Sequence, residues 1–355
     1  MWSDSRKREK ASWLRATLGI WVAIVVAILW AVAPRFPSFV NNFYSDGWYA
    51  FVSSIGAGVT RNLSFSTLEI TLLAVVVILP FILLMLSLAK ASRHRLGLLW
   101  GVGRTLLAWL NYAGWVWAAF ALLWGFNHFR TPLPEQLELD KYQMTAETQQ
   151  LMLQAAAEQT NALGKQVDSI CAMSAIEQFD SAALSRWSAS VGQKELVYSY
   201  ARPMMLSGLS TRLRVSGVYN LFLFQPTYSL AQHPVLTMFT AQHELAHLAG
   251  WAGEDEASLA AYASMWHSDD ALVQYAAWLS FWWRTGERDN LAADVVADLG
   301  CIRQFQQVFE PLPVANQMWQ AYDSYLQVAG GGGVKDYEKG EHYALLYFWY
   351  RVPRN

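Results

Sequence analysis

The 355-residue chain is 54% apolar and only 15% charged, where a soluble domain carries about 25% charged residues. Its 18 Trp, 17 Phe and 16 Tyr exclude a disordered or low-complexity chain. Net charge is −2, but residues 1–126 hold 11 Lys and Arg against 4 Asp and Glu, and residues 127–355 hold 15 against 24; short basic runs between apolar stretches, then an acidic half, exclude a nucleic-acid partner and fit a lipid bilayer.

Three stretches carry no charge: residues 16–33, 70–89 and 105–126. At about 1.5 Å per residue each reaches roughly 30 Å, the thickness of a bilayer's hydrocarbon core, so they predict three transmembrane helices. Arg6, Lys7, Arg8, Lys10 and Arg15 precede the first, and Lys90, Arg93, Arg95 and Arg104 lie between the second and third; Arg35 and Arg61 are the only cations between the first and second. The positive-inside rule then puts the N-terminus and the second connection in the cytoplasm, and everything after Phe126 outside. Ala31-Val32-Ala33 resembles a cleavage site, but a long apolar run before it and Pro34 after it favour an uncleaved anchor. The expected organisation is a multi-pass protein of the cell membrane, with a membrane domain over 1–126 and an extracytoplasmic domain over 127–355.

The second half reads as mainly α. Thr145 can cap a helix running to Gly164, with Glu147 in its first turn. Residues 197–230 are rich in β-branched and aromatic side chains broken by Gly, Pro and Ser, and predict the few strands. Helical periods follow at Leu236–Ala249, Asp255–Trp266, Asp269–Trp283, Leu291–Val308, Val314–Val328 and Tyr337–Tyr350, the last after the break Gly330–Gly333. Cys171 and Cys301 cannot build a disulfide framework or a Cys-rich zinc site; they read as core residues, or as one bridge if this half meets an oxidising compartment.

The sharpest signal is His243-Glu244-Leu245-Ala246-His247. Residues four apart on a helix share a face, so both imidazoles can reach one metal ion, while Glu244 beside the first can reach a water there as general base. Zinc needs a third protein ligand and an open position. Gly253-Glu254-Asp255-Glu256-Ala257-Ser258 opens the next helix and supplies the carboxylates. The Glu-x-x-Ala spacing from Glu254 to Ala257 resembles the third-ligand helix of gluzincin-type metallopeptidases, which implies Glu254 as ligand, with Glu256 in reserve. His267, Tyr337, His342 and Tyr343 are the polar-aromatic candidates for an oxyanion donor.

With these residues in view, the chain resembles an uncharacterised bacterial family, classed as a domain of unknown function, of three-span membrane proteins with a zincin-like external domain. The resemblance rests on Tyr44 to Tyr49, Phe65-Ser66 through Glu69, Trp124 to Leu133, Arg202-Pro203 through Ser207, His243 to Tyr262, Ser268-Asp269-Asp270, Asp298-Leu299 and Gly333 to Tyr337. It departs at Phe224 to Ser229, where the family has a Gly-Glu-Ala-Asn segment, and at Ser258, where an Asn that would support a ligand is usual. The resemblance implies a peptidase acting on a peptide or protein substrate with Zn2+. Two other readings are a non-catalytic membrane protein with a zinc-stabilised or degenerate binding domain, and an intramembrane protease of the site-2 type, because residues 235–252 are apolar enough to suggest a span.

Overall fold

The computed structural model describes residues 2–93, 98–175, 182–192, 199–329 and 331–352. Arg95, Val197, Tyr198 and Gly330 lie outside them, as do the side chains of Arg6, Lys7, Arg8, Lys10, Arg15, Lys90 and Arg93. The chain is mainly helical with one three-stranded sheet.

Helix α1 (Trp2–Val32) packs against a later helix, α4 (Leu98–Leu123). Gly19 and Gly114 make the approach close: a Cβ on either would collide with the other helix's backbone, and Gly19 N donates to Asn111 Oδ1 at 2.6 Å. Between them, Leu68–Leu72, Leu73–Ile78 and Leu79–Arg93 run on as one helix, α3, with π-helical geometry in the middle. Among the described residues three segments are long and apolar enough to cross a membrane: Thr17–Arg35, Leu68–Ala89 and Gly101–Leu123. The expected third span was to reach Phe126, but helix α4 stops at Leu123. Trp124 turns the chain out of the helix, and Gly125–Phe129 forms a tight 3-10 turn beneath Trp30, whose ring leaves no room for a Cβ at Gly125.

Another helix, absent from the sequence-based expectation, joins α1 to α3. Pro37–Phe39, Val40–Tyr49 and Ala50–Thr60 are continuous, the middle piece π-helical, and together form α2. One face, with Val40, Ser45, Tyr49, Ser53, Ala57 and Thr60, is buried against the second half; the other exposes Phe39, Phe43, Phe51, Ile55 and Val59.

The helices expected in the second half are present with boundaries moved by a residue or two, the strands fall within the expected 197–230 stretch, and two short helices, Ala183–Ser190 and Ser207–Arg212, have no counterpart in the sequence-based expectation. In chain order these are α5 (Ala146–Gly164), α6 (Ala183–Ser190), β1 (Arg202–Pro203), α7 (Ser207–Arg212), β2 (Gly217–Asn220), β3 (Gln225–Tyr228), α8 (Pro234–Leu248), α9 (Glu254–Trp266), α10 (Ala271–Thr285), α11 (Ala293–Gln306), α12 (Ala315–Val328) and α13 (Asp336–Arg351). Thr145 caps α5 as expected, with Thr148 as its reciprocal partner. The sheet order is β1-β3-β2, with β1 parallel and β2 antiparallel to β3, in the register Gly217↔Tyr228 and Asn220↔Gln225.

Helix α8 is the centre of this half. Every one of its residues is buried, enclosed by α9, α10 and the sheet; it is an interior helix of the fold and not one of the three candidate spans. Trp266, Trp278, Phe281 and Phe348 form a linked aromatic core beside it, Trp266 stacking on Trp278 at 4.3 Å between centroids. Cys171 and Cys301 are joined in a disulfide with Cα atoms 5.3 Å apart. Cys171 is exposed, so the bridge ties the connection after α5 to α11 at the surface and is not a core pair.

Candidate metal centre

Helix α8 starts at Pro234, whose missing N–H costs nothing at a first turn, under an N-cap by His233 Nδ1. It ends at Gly250, which takes φ +90°; a Cβ there would be strained and would press on Tyr49 and Arg130. The turn returns the chain so that α9 begins over the last turns of α8.

Its three first-turn acids then separate. Glu254 Oε2 lies 3.0 Å from His243 Nε2 and 3.5 Å from His247 Nε2. Glu256, the reserve ligand, turns away: its Oε2 accepts from Gly253 N at 3.1 Å, closing the helix start, and its Oε1 accepts from Leu133 N at 2.7 Å. Asp255 accepts from Glu256 N. The ligand atoms of His243, His247 and Glu254 all lie within 4.8 Å of one another, a cluster fit to hold a metal ion.

The outer nitrogens of both histidines are occupied, which fixes the rings. Ser258 Oγ stands 3.3 Å from His243 Nδ1, the supporting position that the sequence suggested, and His247 Nδ1 donates to the Trp251 carbonyl at 2.7 Å. Both Nε2 atoms are thereby left pointing at the shared Glu254 oxygen. The other oxygen, Oε1, accepts from the Tyr322 hydroxyl of α12. Two imidazoles and one carboxylate match the donor set of a site that holds a divalent metal and keeps a position open.

Electrostatics divides the group in the same way. Burial pushes His243 down to about 4. Burial acts likewise on His247, but the Glu254 and Glu244 carboxylates outweigh it and hold that imidazole up at about 9. Burial alone would raise Glu254, yet His247 and His243 keep it well below the usual carboxylate range. Glu244 takes no part in the cluster; burial lifts it to about 8. Strand β2 passes directly over it, since a Cβ on Gly217 would sit 2.5 Å from Glu244 Oε1.

Of the four candidate oxyanion donors, Tyr337 alone is at the centre. Its ring lies 6.2 Å from that of His243, and Arg284 stands 5.4 Å above it while pairing with Glu341. His267 caps the far end of α9 against the Ala263 carbonyl; His342 is exposed and Tyr343 half-buried on α13, their rings meeting edge-on away from the cluster. Sequence reasoning missed Tyr322, Arg284 and the floor of the site. There Trp124 meets His247 edge-on at 5.7 Å, and the Tyr49 hydroxyl donates to the Leu248 carbonyl at 2.9 Å. His128 packs on the same Trp124, its Nε2 buried without a hydrogen-bond partner, and burial pushes it down to about 4. Trp124, His128 and Tyr49 stand in the segments that carry the family resemblance, which was the one signal that could have singled them out.

A family model described as "Protein of unknown function (DUF3810)" matches residues 44–345. The chain belongs to this family. The DUF3810 match opens within α2 and closes within α13, so it takes in the floor, the three ligand positions and Tyr322, and leaves α1 outside. No curated protein and no solved structure matches the chain.

Proposed function

We propose that this protein is a membrane-anchored zinc metallopeptidase with a zincin-like domain on the extracytoplasmic side. The observation that carries the reading is the division of labour on α8 and α9: three buried groups converge, while the carboxylate of Glu244, adjacent in sequence, stays out of the cluster. His243, His247 and Glu254 would hold the zinc, which when bound supplies Lewis-acid polarisation of a carbonyl and a more acidic water. Glu244 takes a proton from the attacking water on its carboxylate and passes it to the leaving amine. A buried carboxylate with raised proton affinity suits that exchange. Tyr322 holds Glu254 from behind, and Ser258 and the Trp251 carbonyl fix the imidazoles. Tyr337, beside His243 and under Arg284, is the donor for the developing oxyanion.

The Cys171–Cys301 bridge supports an oxidising, extracytoplasmic setting for this half. The enclosure of α8 within the domain argues against intramembrane proteolysis. In purified protein, elemental analysis should find about one zinc per chain, lost in His243→Ala. Glu244→Gln should keep the metal and lose hydrolysis of a mixed peptide library by a factor of about 100 to 10,000. Absence of stoichiometric metal, or a Glu244→Gln protein that hydrolyses as fast as wild type, would sink the reading and leave a non-catalytic binding domain.

A further inference from the structure

We infer that the substrate is a membrane-anchored polypeptide, cut within a few residues of the point where it leaves the bilayer. The inference rests on the metallopeptidase reading and adds the position of the centre relative to the candidate spans.

Three contacts set that position. Trp124, the first residue beyond α4, touches His247. Phe120, inside the third candidate span, meets Tyr325 at 6.0 Å, and Tyr325 lies one turn along α12 from Tyr322, the partner of Glu254. Tyr49 of α2 reaches from the same level to the Leu248 carbonyl, at the C-terminal end of α8. His247 is therefore one residue contact from the end of a span, and Glu254 two contacts and one helical turn from it. Trp30, Trp117, Phe120, Phe126 and Phe129 cluster there, the aromatic composition of a bilayer interface.

Strand β2 gives the direction. It is an outer strand of the sheet, and its first residue, Gly217, borders Glu244. Its last, Asn220, donates from Nδ2 to Thr67 Oγ1 and Thr71 Oγ1, both at 3.0 Å, and Thr71 belongs to the second candidate span. Across the register, Gln225 Oε1 accepts from Thr67 N at 2.6 Å, so both strands are fastened to the head of α3. At about 3.3 Å per residue, Gly217 to Asn220 covers about 10 Å. Tyr219 and Asn220 are buried, so a peptide can meet β2 at Gly217 and Val218; with its scissile bond at Glu244 it therefore reaches the membrane surface within about three to five residues. Exposed Phe39, Phe43, Phe51 and Ile55 of α2 carry the apolar surface of the spans up to this level. A folded soluble protein would have to pass its bulk between the domain and the lipid; a chain already anchored in the bilayer emerges there.

The test uses full-length, zinc-loaded protein in phosphatidylethanolamine/phosphatidylglycerol vesicles. The probe is a mixed-sequence peptide library, either free or carrying a stearoyl chain at one end behind flexible spacers of about 3 to about 20 residues. Confinement to the surface raises the concentration of every anchored peptide alike, so the cut position and the spacer dependence are decisive. Expected are cuts about three to five residues from the anchor, with the short-spacer library cleaved at least about tenfold faster than the long-spacer one. As a readout independent of turnover, a photo-crosslinker about four residues from the anchor should label residues 217–218 of the Glu244→Gln protein, and the same group on the free peptide should not. Equal cleavage of the short-spacer and long-spacer libraries, or cut positions indifferent to the anchor, overturns the inference while the peptidase reading stands. Cleavage of no library member overturns both.

Discussion

Trp21 and Trp278 both stand in helices rich in apolar residues, yet Trp21 is 58% exposed and Trp278 1%. The contrast runs through the two halves of the chain. Among the described side chains of α1, α3 and α4 most Leu, Val and Ile point outward, and the contact between α1 and α4 rests on small residues, Gly19 and Gly114. In the second half the large side chains point inward and interlock, as Trp266, Trp278, Phe281 and Phe348 do. Helices of similar composition thus differ in what covers them: in one half the apolar faces are left outward, as a lipid surround would require, and in the other they are covered by protein.

The largest effect that tests this contrast is truncation of a core ring. Trp278→Ala should cost about 3–5 kcal/mol, because it removes a fully buried ring and leaves a cavity among rings that cannot collapse into it. Trp21→Ala, which opens no cavity, should cost under about 1 kcal/mol in the same detergent. Chemical denaturation followed by near-UV circular dichroism measures both. Similar losses at the two positions would break the comparison.

The contrast also explains what was legible in the sequence. Charge-free runs marked the candidate spans because lipid tolerates no charge anywhere on a helix surface, and the His243/His247 spacing marked the candidate metal helix because both imidazoles belong to one element. Glu254 was legible through its spacing to Ala257, while Glu256 could be separated from it only by seeing Leu133 N and Gly253 N claim its carboxylate. Helix α2 was illegible: Asn41, Asn42, Asp46 and Gly47 interrupt its apolar character, and its inner face is built of Ser, Ala and Tyr, giving no clean amphipathic period. Tyr322, Arg284 and Trp124 reach the centre from three distant segments, so only tertiary packing brings them together. The same holds for the cysteines, 130 residues apart and paired at the surface.

An intermediate effect is expected where the halves meet. His128 is half-buried as a residue, but its Nε2 is enclosed with no partner, and burial holds its pKa at about 4. In the unfolded chain it would titrate near about 6.5. Between these values the unfolded state binds more protons, so stability rises with pH; the contribution is full above about 6.5 and drains away as pH falls towards 4. Its size is at most about 3 kcal/mol. Acidification from pH 7.5 to pH 4.5 should therefore lower the denaturation midpoint of wild type more than that of His128→Asn, which has no proton to take up. Parallel losses in the two proteins would show that the junction around Trp124 is wetter than its packing implies.

The smallest effect should come from the outer face of α2, where Phe51 is 60% exposed and makes no part of the core. Phe51→Ala should change stability by under about 1 kcal/mol, since no cavity forms. The informative measurement is environmental. An environment-sensitive fluorophore on Phe51→Cys should emit at the blue end of its range in vesicles, and the same label on exposed Gln320 of α12, a polar position on the domain's surface, should emit as in water. A water-like signal at position 51 would place α2 above the lipid, and the floor formed by Tyr49 would then no longer mark the bilayer surface. A blue signal at 51 together with a water-like one at 320 brackets the membrane boundary between α2 and α12, the two helices whose Tyr49 and Tyr322 touch the end of α8 and Glu254.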